Sequence, residues 1–434
     1  MRMEFRKGQK IKVEGPASLL IKDGVLWVFG KEIRSRERIT IPIDKTILLE
    51  VLEDTIAEVS LGENATIDKI EDPIIPYEWR STIENIYYDI KPLKILILGG
   101  ANTGKSLFTI HLANFYSTEN EKVGIIDEDL GQSEIGPPTV IGSTLITKPI
   151  TSFSQSRLYD GYFIGTIDPE NVTENILVGV KILLEKILKE DPSVVIINTD
   201  GWIFGEKARR FKINMINLLR PEVVVAIQRF NEIEHIIRPF ERQKWVQIIR
   251  LLAPTILKPR SPELRKLIRE SMYIRYLKDL KIIKVNIHKI PLMFSSYASS
   301  FPLPLKSMEK IRSSLKEDSF KKIEYIGMNS EELIVVINDM SIKDILNDIL
   351  RSMFTDRKIK IIKKGEEHGI IVGIYDYNNK FLGIGYIDEI YYKRGIIKIR
   401  AGIRSSDTVG LICLGQLKLD EKYNERKRIK MWDL

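Results

Sequence analysis

From residue 10 to about residue 70, short apolar stretches alternate with polar positions, as in KIKV, LLIK, VLWVFG, ITIPI, TILLEV and TIAEVS. Turn formers such as Asp23-Gly24 and Gly62-Glu63-Asn64 separate them. A period of two broken by such turns predicts an antiparallel β-domain over residues 1–75. The segment DPIIPYEWRSTIENIY, with two prolines ahead of a helical pattern, marks the boundary. Beyond residue 93 the period changes. Continuous apolar runs, LKILIL, VGIID, SVVIIN, EVVVAI and WVQIIRL, alternate with long amphipathic stretches such as VTENILVGVKILLEKILK. Strands apolar on both faces and joined by crossover helices predict a parallel sheet covered on both sides, in a domain over residues 76–290. After KIIKVNIHKI the pattern is β-rich again (KIKIIKK, GIIVGIYD, FLGIGYID, GIIKIRAGI), predicting a smaller C-terminal β-containing domain over residues 291–434 that ends in the basic run ERKRIK. The fold class expected is α/β, with a central domain flanked by two β domains.

The strand KILIL runs directly into Gly99-Gly100-Ala101-Asn102-Thr103-Gly104-Lys105-Ser106, and Leu107 continues into a helical pattern. This is G-x-x-x-x-G-K-S in its strand–loop–helix setting, the signature of a P-loop NTPase. Glycines let backbone N–H groups converge on phosphate oxygens and the helix N-terminus adds positive potential. Lys105 is placed to reach the β- and γ-phosphates of ATP, and Ser106 to hold Mg²⁺. The next apolar strand ends in Asp127-Glu128-Asp129-Leu130-Gly131-Gln132. Carboxylates at the C-terminal end of a strand beside the P-loop strand sit near metal and γ-phosphate. On an extended strand tip Asp127 and Asp129, two apart, face the same way, so that one serves the metal and the other accepts a proton.

Composition narrows the setting. With 44% hydrophobic and 29% charged residues among 434, the chain suits a folded multidomain protein. A formal charge of +8 favours a polyanionic partner. No apolar run approaches the roughly 18 residues of a membrane span, and MRMEFRKGQK lacks an export signal's apolar region, so no membrane association is expected. The lone cysteine, Cys413, excludes an internal disulfide framework and points to a reducing, cytoplasmic location. His111, His235, His288 and His368 show no metal-ligand spacing and read as structural.

D-x-D-x-G-Q after a P-loop resembles the polynucleotide 5′-hydroxyl-kinase family, which includes the kinase of the RNA 3′-end cleavage factor and the pre-rRNA-processing kinase. Asn198-Thr199-Asp200-Gly201-Trp202 is similar to its N-T-x-G-W, Phe163-Ile164-Gly165-Thr166 to its F-x-G loop, and the run from Arg260 through Arg265 to Arg269 to its R-S-x-x-x-R-x-x-x-R lid. Pro138 departs from the pattern, standing where many relatives have glycine. The resemblance implies ATP and Mg²⁺ as cofactors, with the metal near Ser106, Asp127 and Asp129. It implies Asp129 as general base, and Arg265 and Arg269 closing over the phosphates. Gln132, Thr166, Thr199 and Trp202 are implied at the substrate. That substrate is the 5′-hydroxyl end of RNA, with DNA ends also admitted and RNA-processing proteins as partners. Pattern alone reads the arginine helix as a solvated basic face. Two other functions stay open: a P-loop ATPase switch of the partitioning or metal-insertion type, and a non-catalytic ATP-binding scaffold of an RNA-processing complex.

Overall fold

Alternating burial builds the N-terminal sheets. In Lys10–Glu14 only Ile11 and Val13 are buried, and in Ala17–Asp23 the buried positions are Ala17, Leu19 and Ile21. The computed structural model describes residues 1–434 apart from 44, 72, 74, 87–89, 120, 255–260, 404 and 430–434. Among the described residues these strands form a four-stranded and a five-stranded sheet, antiparallel throughout.

The chain divides into two compact units, Met1–Arg269 and Glu270–Leu434. In the first, the N-terminal sheets and the P-loop region share one apolar core. Helix Tyr77–Asn85 follows the sheets; its Trp79 is fully buried, donates to the Leu252 carbonyl at 2.9 Å and meets Phe108 edge-on at 5.2 Å. Asn114, buried on the P-loop helix Lys105–Thr118, donates to the carbonyls of Phe29 (2.8 Å) and Ile150 (2.7 Å) and accepts the Ile150 N–H (2.8 Å). Its polar groups are paired, so the bonds fix the β-domain against the P-loop helix without leaving a buried amide group unsatisfied.

The central sheet has seven strands, in the order Asp160–Phe163, Val140–Ile146, Val123–Asp127, Val194–Asn198, Leu93–Gly99, Val223–Gln228, Gln247–Leu252. The five strands read from the sequence pair in parallel. The other two correct the all-parallel expectation: Val140–Ile146 and Asp160–Phe163 add antiparallel to one edge. They need no crossover helix, because a reversing loop suffices between antiparallel neighbours.

In the second unit, Lys281–Asn286 pairs with Ile396–Ala401 in a seven-stranded sheet, so the strand KIIKVN belongs to the C-terminal unit and the division falls earlier than residue 290. A four-stranded sheet follows, in which Glu332–Ile337 and Lys358–Lys363 run parallel around helix Lys343–Met353. No helix of the described residues is long and apolar enough to cross a membrane.

Candidate active site

The P-loop joins strand Leu93–Gly99 to helix Lys105–Thr118 through Gly104, whose φ of +94° lies in the left-handed region that favours glycine. The loop is braced from within. The Thr103 hydroxyl and the Lys105 ammonium both donate to the Gly100 carbonyl, at 3.0 and 2.7 Å. From outside, Arg229 at the end of Val223–Gln228 donates to the Asn102 carbonyl at 2.7 Å.

A cavity of about 780 Å³ opens over this loop. Ala101, Asn102, Gly104, Lys105, Ser106 and Leu107 form its floor. Asp129 and Gln132 line it too, as do Thr199, Asp200, Gly201 and Trp202. Arg265 and Arg269 reach the same cavity from helix Pro262–Tyr276, both half-buried, so this face is more than a solvated basic stripe. Arg260 lies outside the described residues. Gly99, Gly100 and Thr103 belong to the loop but do not line the cavity. Nor do two residues expected at the centre. Asp127 is buried, and Thr166, also buried, accepts the Asp168 N–H at 3.2 Å.

Asp127 and Asp129 differ because the strand ends at Asp127. Asn198, at the end of the neighbouring parallel strand, donates to Asp127 Oδ1 at 2.9 Å and to the Ser106 hydroxyl at 3.3 Å. Asp129 Oδ1 accepts the N–H groups of Gly131 (3.0 Å) and Gln132 (2.9 Å), which orients its carboxylate in the turn. The Gln132 side chain donates to the carbonyls of Gly131 (2.8 Å) and Arg265 (3.5 Å), linking the acidic turn to the arginine helix. Thr199 is buried, with its hydroxyl donating to the Ile97 carbonyl of the P-loop strand at 2.8 Å. Trp202 is half-buried, its ring centroid 6.1 Å from that of Phe211.

Burial governs the charges. It pulls Lys105 down to about 8, against the opposing pull of Asp129 and Asp200. Burial and then Asp129 push the Asp127 carboxyl up to about 6, with the Asn198 hydrogen bond opposing. Asp129 is raised by burial and by Asp200, with Lys105 and the two backbone N–H groups opposing. Among the described residues no group of three or more His, Cys, Asp or Glu side chains forms a metal cage.

The sequence did not disclose the wall that the N-terminal β-domain supplies, with Lys12, Ile43, Lys45 and Thr46 lining the same cavity. Lys45 also pairs with Glu134, just past the acidic turn. Nothing in the local pattern of either segment signals this long-range contact. Asn198 lies inside the Asn198-Thr199-Asp200-Gly201-Trp202 motif, which by itself gives it no role.

Residues 99–279 match the family model of the mRNA cleavage and polyadenylation factor CLP1 P-loop. A polyribonucleotide 5′-hydroxyl-kinase of Pyrococcus abyssi is 26% identical over 355 residues, which cover 81% of this chain and 94% of that protein. One from Methanocaldococcus jannaschii is 27% identical over 343 residues, covering 77% and 89%. A polynucleotide 5′-hydroxyl-kinase NOL9 of Danio rerio is 34% identical over 114 residues, covering 26% of this chain and 16% of that one. The solved structure of wild-type Clp1p in complex with Pcf11p shares the fold at a TM-score of 0.65 and 14% identity, covering 96% of this chain and 97% of that one. P-loop, acidic turn, tryptophan turn and arginine helix thus converge on one cavity within a matching fold, in a chain similar over most of its length to polyribonucleotide 5′-hydroxyl-kinases.

Proposed function

We propose that the chain is an ATP-dependent kinase that transfers the γ-phosphate to the 5′-hydroxyl end of RNA. One observation carries the reading: Lys105, Asp129, Trp202, Arg265 and Arg269 line a single cavity although they come from four separate segments. A scaffold has no need of a base and two arginines around one phosphate loop, and a switch ATPase, which can use such groups on water, has no need of a stacking ring beside them.

In this reading the 5′-hydroxyl oxygen attacks the γ-phosphorus in line with the departing ADP. Asp129 takes the hydroxyl proton on Oδ2, the oxygen that carries neither backbone bond. Its raised proton affinity suits a base, because a carboxylate held far down would accept a proton poorly. Lys105, Arg265 and Arg269 stabilise the charge that spreads over the phosphoryl oxygens. Trp202 offers a face on which the terminal base stacks, which fits any sequence because every base has a π-face.

Ser106 and Asp127, joined through Asn198, are hard oxygen donors suited to Mg²⁺, which typically takes one or two protein ligands and completes its shell with water and phosphate. When bound, Mg²⁺ neutralises charge on the β- and γ-phosphates. A single buried cysteine fits a cytoplasmic setting. RNA ends are the substrate, DNA ends a second candidate, and RNA-processing proteins the expected partners.

The test is ADP release in the presence of RNA oligomers that differ only at the 5′ end. Stimulation by 5′-hydroxyl RNA and none by 5′-phosphate RNA is expected; equal ADP release with both, or with no RNA, returns the chain to the switch ATPases.

A further inference from the structure

One buried charge takes part in none of these steps. Lys212, on helix Glu206–Leu219, is fully buried, and its ammonium lies 3.0 Å from Glu128 Oε2 and 2.7 Å from Asp200 Oδ1. Both acids occupy the open position of a motif: Glu128 stands between Asp127 and Asp129, and Asp200 between Thr199 and Gly201. The same two oxygens also hold backbone. Glu128 Oε2 accepts the Asp200 N–H at 2.7 Å, and Asp200 Oδ1 accepts the Trp202 N–H at 3.0 Å. The Glu128 N–H in turn donates to the Asn198 carbonyl at 2.9 Å. A single ammonium therefore closes a ring that joins the acidic strand end to the tryptophan turn.

An ammonium desolvated to this degree is held charged only by close partners, and removing it would leave the fully buried Glu128 without its cation, beside Asp200 on the cavity wall. Burial alone would lower its proton affinity, but Asp200 and Glu128 together outweigh it, so the side chain is shifted upward. Phe211, beside it on the helix, lies under both the ammonium (4.6 Å) and the Trp202 ring. The helix thus supports the turn with an apolar face and an ion at once.

We infer that Lys212 is a positioning residue: it fixes the turn that carries Trp202 to the strand end that carries Asp129, and so sets where the RNA end lies relative to the base. Its effect on turnover rests on the kinase reading; the lock itself is independent of it.

Lys212→Met tests the lock, with Asp200→Asn beside it. The asparagine keeps an oxygen for the Trp202 N–H and leaves Lys212 paired with Glu128, so the buried ammonium retains a partner even where Lys212→Met fails to fold. For folded Lys212→Met, amide exchange at Asp200 and Trp202 rises at least about tenfold, and KM for 5′-hydroxyl RNA rises about fivefold or more. Nucleotide Kd per folded molecule stays within about threefold. Asp200→Asn moves the exchange rates and the RNA KM in the same direction by a smaller factor, about threefold. Unchanged exchange in the folded variants overturns the inference. So does an unchanged RNA KM with kcat falling only in proportion to the folded fraction, which is the behaviour of an ordinary core ion pair. Faster exchange in Lys212→Met together with a wild type that never phosphorylates RNA defeats the kinase reading and leaves the lock standing.

Discussion

Gly201 packs so tightly on Ala101 that a Cβ added to it would lie 2.7 Å from both the backbone nitrogen and the Cα of Ala101. The turn that bears Trp202 therefore rests on the phosphate loop itself. Backbone cannot swing aside as a side-chain tip does, so Gly201→Ala displaces either the turn or the loop. Overpacking of this kind costs about 1 to 3 kcal/mol. We expect nucleotide affinity and transfer both to fall about tenfold or more; a variant that binds nucleotide like wild type contradicts the packing.

The two aspartates should separate in kinetics. Asp129→Asn keeps Oδ1 for the two backbone bonds and loses the proton acceptor, so kcat falls by about 10² to 10⁴ while nucleotide Kd changes little. Asp127→Asn acts below the loop beside Ser106 and Asn198, and is expected to raise the Mg²⁺ concentration needed for half-maximal rate. The reverse pattern in a Mg²⁺ titration of both variants exchanges their roles.

The sequence carried much of this because the relevant signals are local. The P-loop and the acidic strand end are contiguous motifs on apolar strands, and the Gly201-Trp202 pair follows another such strand. What it concealed is long-range or contrary to local pattern. VIGSTLI is buried throughout except at Leu145, so neither its pairing direction nor its place at the antiparallel edge shows in its periodicity. Lys212 lies in the run EKARRFK, a basic helix start by its local pattern, yet Asp200 in the turn before that helix and Glu128, 84 residues away, draw it inside. The cavity wall of Lys12, Lys45 and Thr46 depends on the docking of two sheets that share no motif with the P-loop.

Lys105 gives the pH dependence a sign. Its ammonium, lowered to about 8 by burial, is charged below that pH and loses its proton above it. Since kcat/KM reports the free enzyme, the profile for ATP should fall on the alkaline side with a limb near pH 8. Lys105→Arg, which stays protonated, should move that limb upward while lowering the maximum. A profile flat to pH 9.5 in the wild type argues against a buried Lys105.

Stability responds in the opposite sense to that of a salt-bridged carboxylate. Asp127 is raised from 3.8 to about 6, so between those values the folded protein binds more protons than the unfolded chain. Its contribution is fully present below pH 4 and is lost as pH rises through 6, about 3 kcal/mol at most. Without nucleotide or Mg²⁺, Asp127→Asn should therefore flatten the fall in melting temperature over that window; parallel curves for variant and wild type refute the assignment.

Arg265 and Arg269 lie four apart on one helix and line one cavity. Each change to alanine should depress kcat strongly. The double variant should lose less than the product of the two, because both act on the same developing charge. Independent, multiplicative losses indicate that the two serve different groups.

The most direct measurement is a single-turnover reaction of γ-labelled ATP with 5′-hydroxyl RNA, followed by digestion to nucleotides and identification of the labelled one. One label per molecule is expected on the 5′-terminal nucleotide, none with RNA that already bears a 5′-phosphate, and a loss of about a hundredfold or more in rate for Lys105→Ala. Label released only as inorganic phosphate by the wild-type protein would contradict it.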